Sequence, residues 1–149
     1  MTDIRILLVD DEPDIREVVD VSLGLDPQFR TRACASGADA LVMAARWSPS
    51  LILLDVMMPL MDGPTTLANL RKNPRTAHIP VVFLTAHASA ETLGRAVESG
   101  AFGYLLKPYT VPELKAAIDI ALHKHKSETA MRQALSARLP AGAAQSQST

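Results

Sequence analysis

Five side chains of the 149-residue sequence could do chemistry together: the adjacent carboxylates Asp10 and Asp11, the carboxylate Asp55, the hydroxyl of Thr85 and the ammonium of Lys107. Each group follows an apolar run: "ILLV" before Asp10, "LILL" before Asp55, "VVFL" before Thr85 and "YLL" before Lys107. Side by side, Asp10 and Asp11 repel and raise each other's cost of ionisation, so something positive must offset them. Three clustered carboxylates suit a hard divalent cation. Magnesium fits best, because it accepts few protein oxygens and keeps several waters. Such an ion also relieves the repulsion. A carboxylate is itself a nucleophile able to form an aspartyl phosphate. Phosphoryl transfer needs positioning and positive charge around the transferred oxygens more than it needs acid–base groups. Magnesium, Lys107 and Thr85 would provide both around Asp55. Taken singly, each residue has a bland explanation, such as a helix-capping acid or a β-branched strand end. Their joint placement is what points to a site.

Short apolar runs alternate with amphipathic ones. The apolar runs are residues 4–9, 29–34, 51–54, 80–84 and 102–106, and three of them are nearly continuous in Ile, Leu and Val. That composition predicts strands covered on both faces, as in a parallel sheet. Between them the pattern predicts helices over 13–24, 36–47, 62–73, 89–100 and 110–126. Pro13 and Pro64 sit where a first helical turn tolerates proline, Ser36 and Asp62 are N-cap candidates, and Gly100 is a C-terminal glycine. In the first helix Ile15, Val18, Val19 and Leu23 form an apolar stripe; in the last, Leu114, Ile118 and Leu122 recur four apart. Five strands alternating with five helices make an α/β sheet with right-handed crossovers. Its ligand crevice lies outside the carboxyl ends of the strands, and four of those five ends carry the reactive groups.

Composition narrows the classes. A chain that is 48% hydrophobic and 21% charged, with net charge −1, is expected to be globular, with no basic field for nucleic acid or an anionic membrane. The lone Cys34 cannot form an internal disulfide and reads as a small buried strand residue. No apolar run approaches a membrane span, and "MTDIR" lacks signal-peptide architecture, so a cytoplasmic address is expected.

"LLVDDEPDIR", "LILLDVMMPLMDG", "VVFLTAHA" and "GAFGYLLKPY" resemble the receiver domain of two-component response regulators, over about residues 3 to 125. The resemblance implies a flavodoxin-like, doubly wound fold with strand order 2-1-3-4-5. It implies that Asp55 accepts a phosphoryl group from a phosphohistidine on a sensor histidine kinase or a histidine phosphotransfer protein. Asp11, Asp55 and the backbone carbonyl of Met57 would bind magnesium, with Asp10 coordinating directly or through a water. Lys107 would pair with the phosphoryl group, and the Lys107–Pro108 bond would be cis. Thr85 and Tyr104 match the family's switch pair: Thr85 moves toward the phosphate, Tyr104 turns inward, and the face of the fourth helix, fifth strand and fifth helix rearranges. Met57 and His87 hold positions that tune phosphoryl lifetime in the family. His123 and His125, two apart on a helix, face different ways and invite no metal.

The expected organisation is a receiver over 1–126, a helical extension over 127–139 that either prolongs the last helix or stands apart, and a disordered tail over 140–149. A stand-alone regulator is expected, acting through an unknown downstream protein or a homodimer and not as an enzyme in the ordinary sense. Two alternatives stay open: a scaffold with the receiver shape that signals without phosphate, and the N-terminal part of a regulator whose effector is missing. Haloacid-dehalogenase-type phosphatases also use an aspartyl phosphate, but need two aspartates separated by one residue; here Asp10 and Asp11 are adjacent and the next, Asp14, lies four beyond Asp10. A dinucleotide module is disfavoured because no G-x-G-x-x-G occurs.

Overall fold

A computed structural model describes residues 3–86 and 89–138 of the chain. In chain order the elements are β1 (Ile4–Val9), α1 (Pro13–Gly24), β2 (Phe29–Cys34), α2 (Gly37–Trp47), β3 (Leu51–Asp55), α3 (Gly63–Lys72), β4 (Val81–Thr85), α4 (Ala90–Glu98), β5 (Gly103–Leu106) and α5 (Val111–Arg138). The strands form one parallel sheet in the order β2-β1-β3-β4-β5. This is the doubly wound α/β architecture expected from the alternating pattern.

Strand periodicity explains the two cores. Leu7, Val9, Ile52, Leu54, Val81 and Phe83 point to one face, where α2 and α3 cover them with Ala40, Ala44, Leu67 and Leu70. Ile6, Leu8, Leu51, Leu53, Val82 and Leu84 point to the other, where α1 and α5 add Val19, Leu23, Leu114 and Ile118. One residue of the expected α1 stripe departs: Val18 is 61% exposed, because Val19 and Leu23 turn the helix so that its neighbour faces outward. Local signals set the helix ends. The Ser36 hydroxyl accepts from the Asp39 amide at 3.1 Å, and the Asp62 carboxylate accepts from the Thr65 amide at 2.8 Å. Thr110 and Glu113 form a reciprocal capping box, with bonds of 3.0 and 3.2 Å, at the start of α5. Gly100 follows α4 with φ +85°, a conformation that suits glycine.

The helix predicted to end near Lys126 continues without interruption to Arg138. Met131 and Leu135 on this continuation are exposed. The expected tail (140–149), together with Leu139 and the lifetime candidate His87, lies outside the described residues.

Register places the reactive residues. Val9 pairs with Leu54, so Asp10 and Asp55 stand level one residue further on; Asp55 pairs with Leu84, and Thr85 with Leu106, the residue before Lys107. The loop after Asp55 is held in by Gly63, whose amide donates to the Val56 carbonyl at 2.9 Å. A Cβ at Gly63 would lie 2.6 Å from the Asp55 carbonyl oxygen and 2.9 Å from the Val56 Cα, closer than backbone permits. Gly63→Ala is therefore expected to lose about 1–3 kcal/mol in urea denaturation. Gly24→Ala, whose added Cβ meets nothing within 4 Å, should be neutral or stabilising.

Candidate functional site

At the carboxyl edge of the sheet, Asp10 is fully buried, Asp55 is 4% exposed and Thr85 is 2% exposed. Asp11 is half-buried. Carboxylate oxygens of Asp10, Asp11 and Asp55 lie within 4.8 Å of one another. Buried carboxylates this close are tolerated only with a countercharge. The structure supplies one from β5: the Lys107 ammonium reaches Asp10 Oδ2 at 2.9 Å and Asp55 Oδ2 at 3.4 Å, with Glu12 Oε1 at 3.8 Å. The repulsion that the sequence poses is thus offset, before any metal is considered, by an ammonium 97 positions along the chain from Asp10.

Backbone groups fix the carboxylates further. The Glu12 amide donates to Asp10 Oδ1 at 3.0 Å, and Arg16 Nη1 donates to the Asp10 backbone carbonyl at 2.7 Å. The Met57 amide donates to Asp55 Oδ1 at 3.3 Å, which brings the Met57 backbone alongside the carboxylate. The Lys107–Pro108 peptide bond is cis. Sequence reasoning missed Glu12 and Arg16, whose roles follow from the turn between β1 and α1. It also missed Tyr109, whose buried hydroxyl has no hydrogen-bond partner among the described residues. Tyr104, on β5 beside Phe83, is 43% exposed, so its ring is on the outside of the sheet edge.

The electrostatics separate the residues. Burial, reinforced by the Asp10 charge, pushes the Asp55 carboxyl up to about 6 against the opposing pull of Lys107 and the Met57 amide. Burial disfavours the Lys107 charge, but Asp10 and Asp55 outweigh it and raise its pKa. Burial raises the Tyr109 hydroxyl in the same direction as the Asp10 charge. At the end of β2, where its carbonyl accepts from the Asp10 amide at 3.2 Å, burial lifts the Cys34 thiol to about 11, which leaves it an inert core residue.

An all-oxygen set of three carboxylates is the donor chemistry that a hard divalent cation requires. Beside the set lies a cavity of about 520 Å³ lined by Met57, Thr85, Arg95 and Ala96. Together these groups can hold a cation, present a nucleophilic oxygen, and surround a transferred anion with donors.

The family described as "Response regulator receiver domain" matches residues 6–119. A Vibrio cholerae protein named "Probable cyclic di-GMP phosphodiesterase" is 38% identical over 123 residues, covering 83% of this chain and 27% of that protein. The "DNA-binding dual master transcriptional regulator RpaA" of Synechocystis is 36% identical over 120 residues, covering 80% of this chain and 49% of that protein. The chain thus spans about a quarter to a half of these relatives' lengths. Among solved structures, the Vibrio cholerae chemotaxis protein CheY4 superposes with TM-score 0.75 at 29% identity, covering 79% of this chain and 98% of that one.

The raised Asp55 pKa carries a stability consequence. Its ionised form is the disfavoured one in the fold, so the stability present below its ordinary pKa is lost as pH rises through about 6. In a metal chelator, Asp55→Asn should therefore raise the melting temperature at about pH 8, and the difference should vanish near pH 4. A melting temperature lowered by the substitution at the higher pH contradicts the charge balance described.

Proposed function

This chain belongs to the response regulator receiver domain family of two-component signalling, and on that premise we propose that it accepts a phosphoryl group on Asp55 from a phosphohistidine donor. The observation that carries the reading is the meeting of Asp10, Asp11 and Asp55 with Lys107 in one buried hollow. The donor would be a sensor histidine kinase or a histidine phosphotransfer protein. An Asp55 carboxylate oxygen attacks phosphorus, the phosphorus–nitrogen bond breaks, and the imidazole leaves as the phosphoryl group becomes an acyl phosphate.

Asp11 and Asp55, with the Met57 backbone carbonyl and Asp10 directly or through water, are the residues that would hold Mg2+. When bound, Mg2+ neutralises charge on the transferred oxygens and offsets the carboxylates' repulsion. The chain's own residues do the rest. Asp10 and Glu12 hold the Lys107 ammonium at the hollow's rim, close enough to Asp55 to turn onto an arriving phosphoryl oxygen. Thr85, one residue before the register level of Lys107, is placed to donate from a third side, and the cavity beside it leaves room for the hydroxyl to shift. Phosphate adds charge and acceptor oxygens, so it favours the conformer that brings these donors in. Tyr104, exposed before phosphorylation, would turn inward as Thr85 moves and so change the face of α4, β5 and α5 that a downstream protein, or a second copy, reads.

The receiver unit is proposed to span residues 1–126, with the distal part of α5 as its extension. A cytoplasmic location is proposed, since the donors named act there; among the described residues no helix is long and apolar enough to cross a membrane. The chain is read as a signalling domain that assists its own phosphorylation and dephosphorylation, not as a conventional enzyme.

With acetyl phosphate and Mg2+, the protein should gain one acid-labile, hydroxylamine-sensitive phosphate, detected by intact mass. Asp55→Asn should abolish it, and undiminished labelling in that variant would place the nucleophile elsewhere. Thr85→Ala should still be labelled but should lose the phosphorylation-dependent change at the α4–β5–α5 face, followed by amide shifts of Tyr104 and Leu106. Identical shifts in the variant and the parent would remove Thr85 from the switch.

A further inference from the structure

At the opposite edge of the sheet from Asp55, the structure holds a second concave site. A cavity of about 470 Å³ is walled by the end of α3, the loop before β4, the start of β5 and the distal turns of α5. Its volume is in the range of small-molecule pockets. Its outer wall, Glu128, Thr129 and Arg132, comes from the part of α5 beyond the residues matched by the receiver family.

The charges here are unbalanced. Arg71 lies half-buried, and both of its hydrogen bonds run through one nitrogen: Nη1 donates to the carbonyls of Ala77 at 3.1 Å and Ile79 at 2.8 Å. Those bonds lock the guanidinium in place and explain its local structural role. They supply no countercharge, and burial accordingly lowers its pKa. Among the described residues neither Arg71 nor Arg132 makes an ion pair, although Glu128 stands one turn before Arg132 on the same helix. A fixed, partly desolvated guanidinium without a carboxylate is costly unless an anion completes it. The imidazoles of His78 and His125 line the same cavity, and His125 is held edge-on to the Phe102 ring at 5.6 Å. One carboxylate, Glu128, faces two guanidiniums. This concentration of cationic and donor groups is local, since the whole chain carries a net charge of −1.

We propose that this cavity is a binding site for a small phosphate-bearing anion, gripped by the guanidiniums of Arg71 and Arg132 with the Thr129 hydroxyl and the two imidazoles as further donors. Arg71 is the rigid anchor, and Arg132 closes from the outer helix. A bound anion ties α5 to the α3–β4 loop and to the start of β5, and so braces the distal helix against the sheet. The site is independent of Asp55, which lies at the other end of the strands.

The test titrates the full chain with pyrophosphate, with guanosine monophosphate and with a hexaglutamate peptide, following amide shifts. Pyrophosphate and the nucleotide should shift Ala77, His78, His125 and Thr129. A nucleotide that binds more tightly than pyrophosphate shows that the base is read as well, and equal affinities show that phosphate alone is; both support the site. Arg132→Glu, at an exposed position without hydrogen bonds, should weaken binding about tenfold or more, and Arg71→Gln should do the same if it folds by circular dichroism. Labelling of Asp55 by acetyl phosphate should be unchanged in Arg132→Glu, which separates this site from the phosphoacceptor. The proposal is overturned by an absence of shifts with millimolar pyrophosphate and nucleotide, by unchanged affinity in Arg132→Glu, or by binding of the acidic peptide alone.

Discussion

One ammonium holds the carboxyl edge of this protein together. Asp10 and Asp55 are both buried and both acidic, and without a cation between them the ends of β1 and β3 would repel. Lys107 bridges them at 2.9 and 3.4 Å. The bridge is strained in the electrostatic sense, because burial works against every charge in it. Asp55 shows the consequence, with its carboxyl raised to about 6. A group held in that condition gains more from an added cation than a solvated aspartate would.

The sheet exists, in this light, to bring distant segments to one level. Parallel register puts Asp10 beside Asp55, and the two strands on the other side, β4 and β5, deliver Thr85 and Lys107. Two apolar cores clamp that register, since a slip of one residue would exchange their faces entirely. Gly63 contributes at closer range: only a residue without a side chain lets α3 begin against the Asp55 backbone. The strands and this loop hold the Asp55 backbone in one position relative to Thr85 and Lys107.

Much of this was legible in the sequence. Strands covered on both faces are runs of Ile, Leu and Val, so β1, β3 and β4 declare themselves, and the groups that follow them identify the crevice. The partners of those groups were less visible. That Lys107 rests on Asp10 depends on register across four strands, β1, β3, β4 and β5, which no local pattern encodes. Arg16 and Glu12 act through the β1–α1 turn, where spacing along a helix gives no hint of which side chain folds back. Val18 falls in the apolar stripe by spacing, because a stripe of four residues cannot be told from one of three by periodicity alone. The continuation of α5 to Arg138 was one of two readings, and helix propensity without a Gly or Pro stop favours the continuous one. The cationic cavity at the far edge had no motif at all, because its walls come from four separate segments.

The most direct test of the charge balance is a crystal structure with Mg2+ and beryllofluoride, which mimics a phosphoryl group on a carboxylate. Beryllium is expected to be bonded to an Asp55 oxygen, with a metal ion among Asp10, Asp11 and Asp55 and the Lys107 ammonium drawn from Asp10 onto a fluoride. A beryllofluoride attached to another side chain, or a Lys107 ammonium still resting on Asp10 with Asp55 unmodified, would contradict that balance.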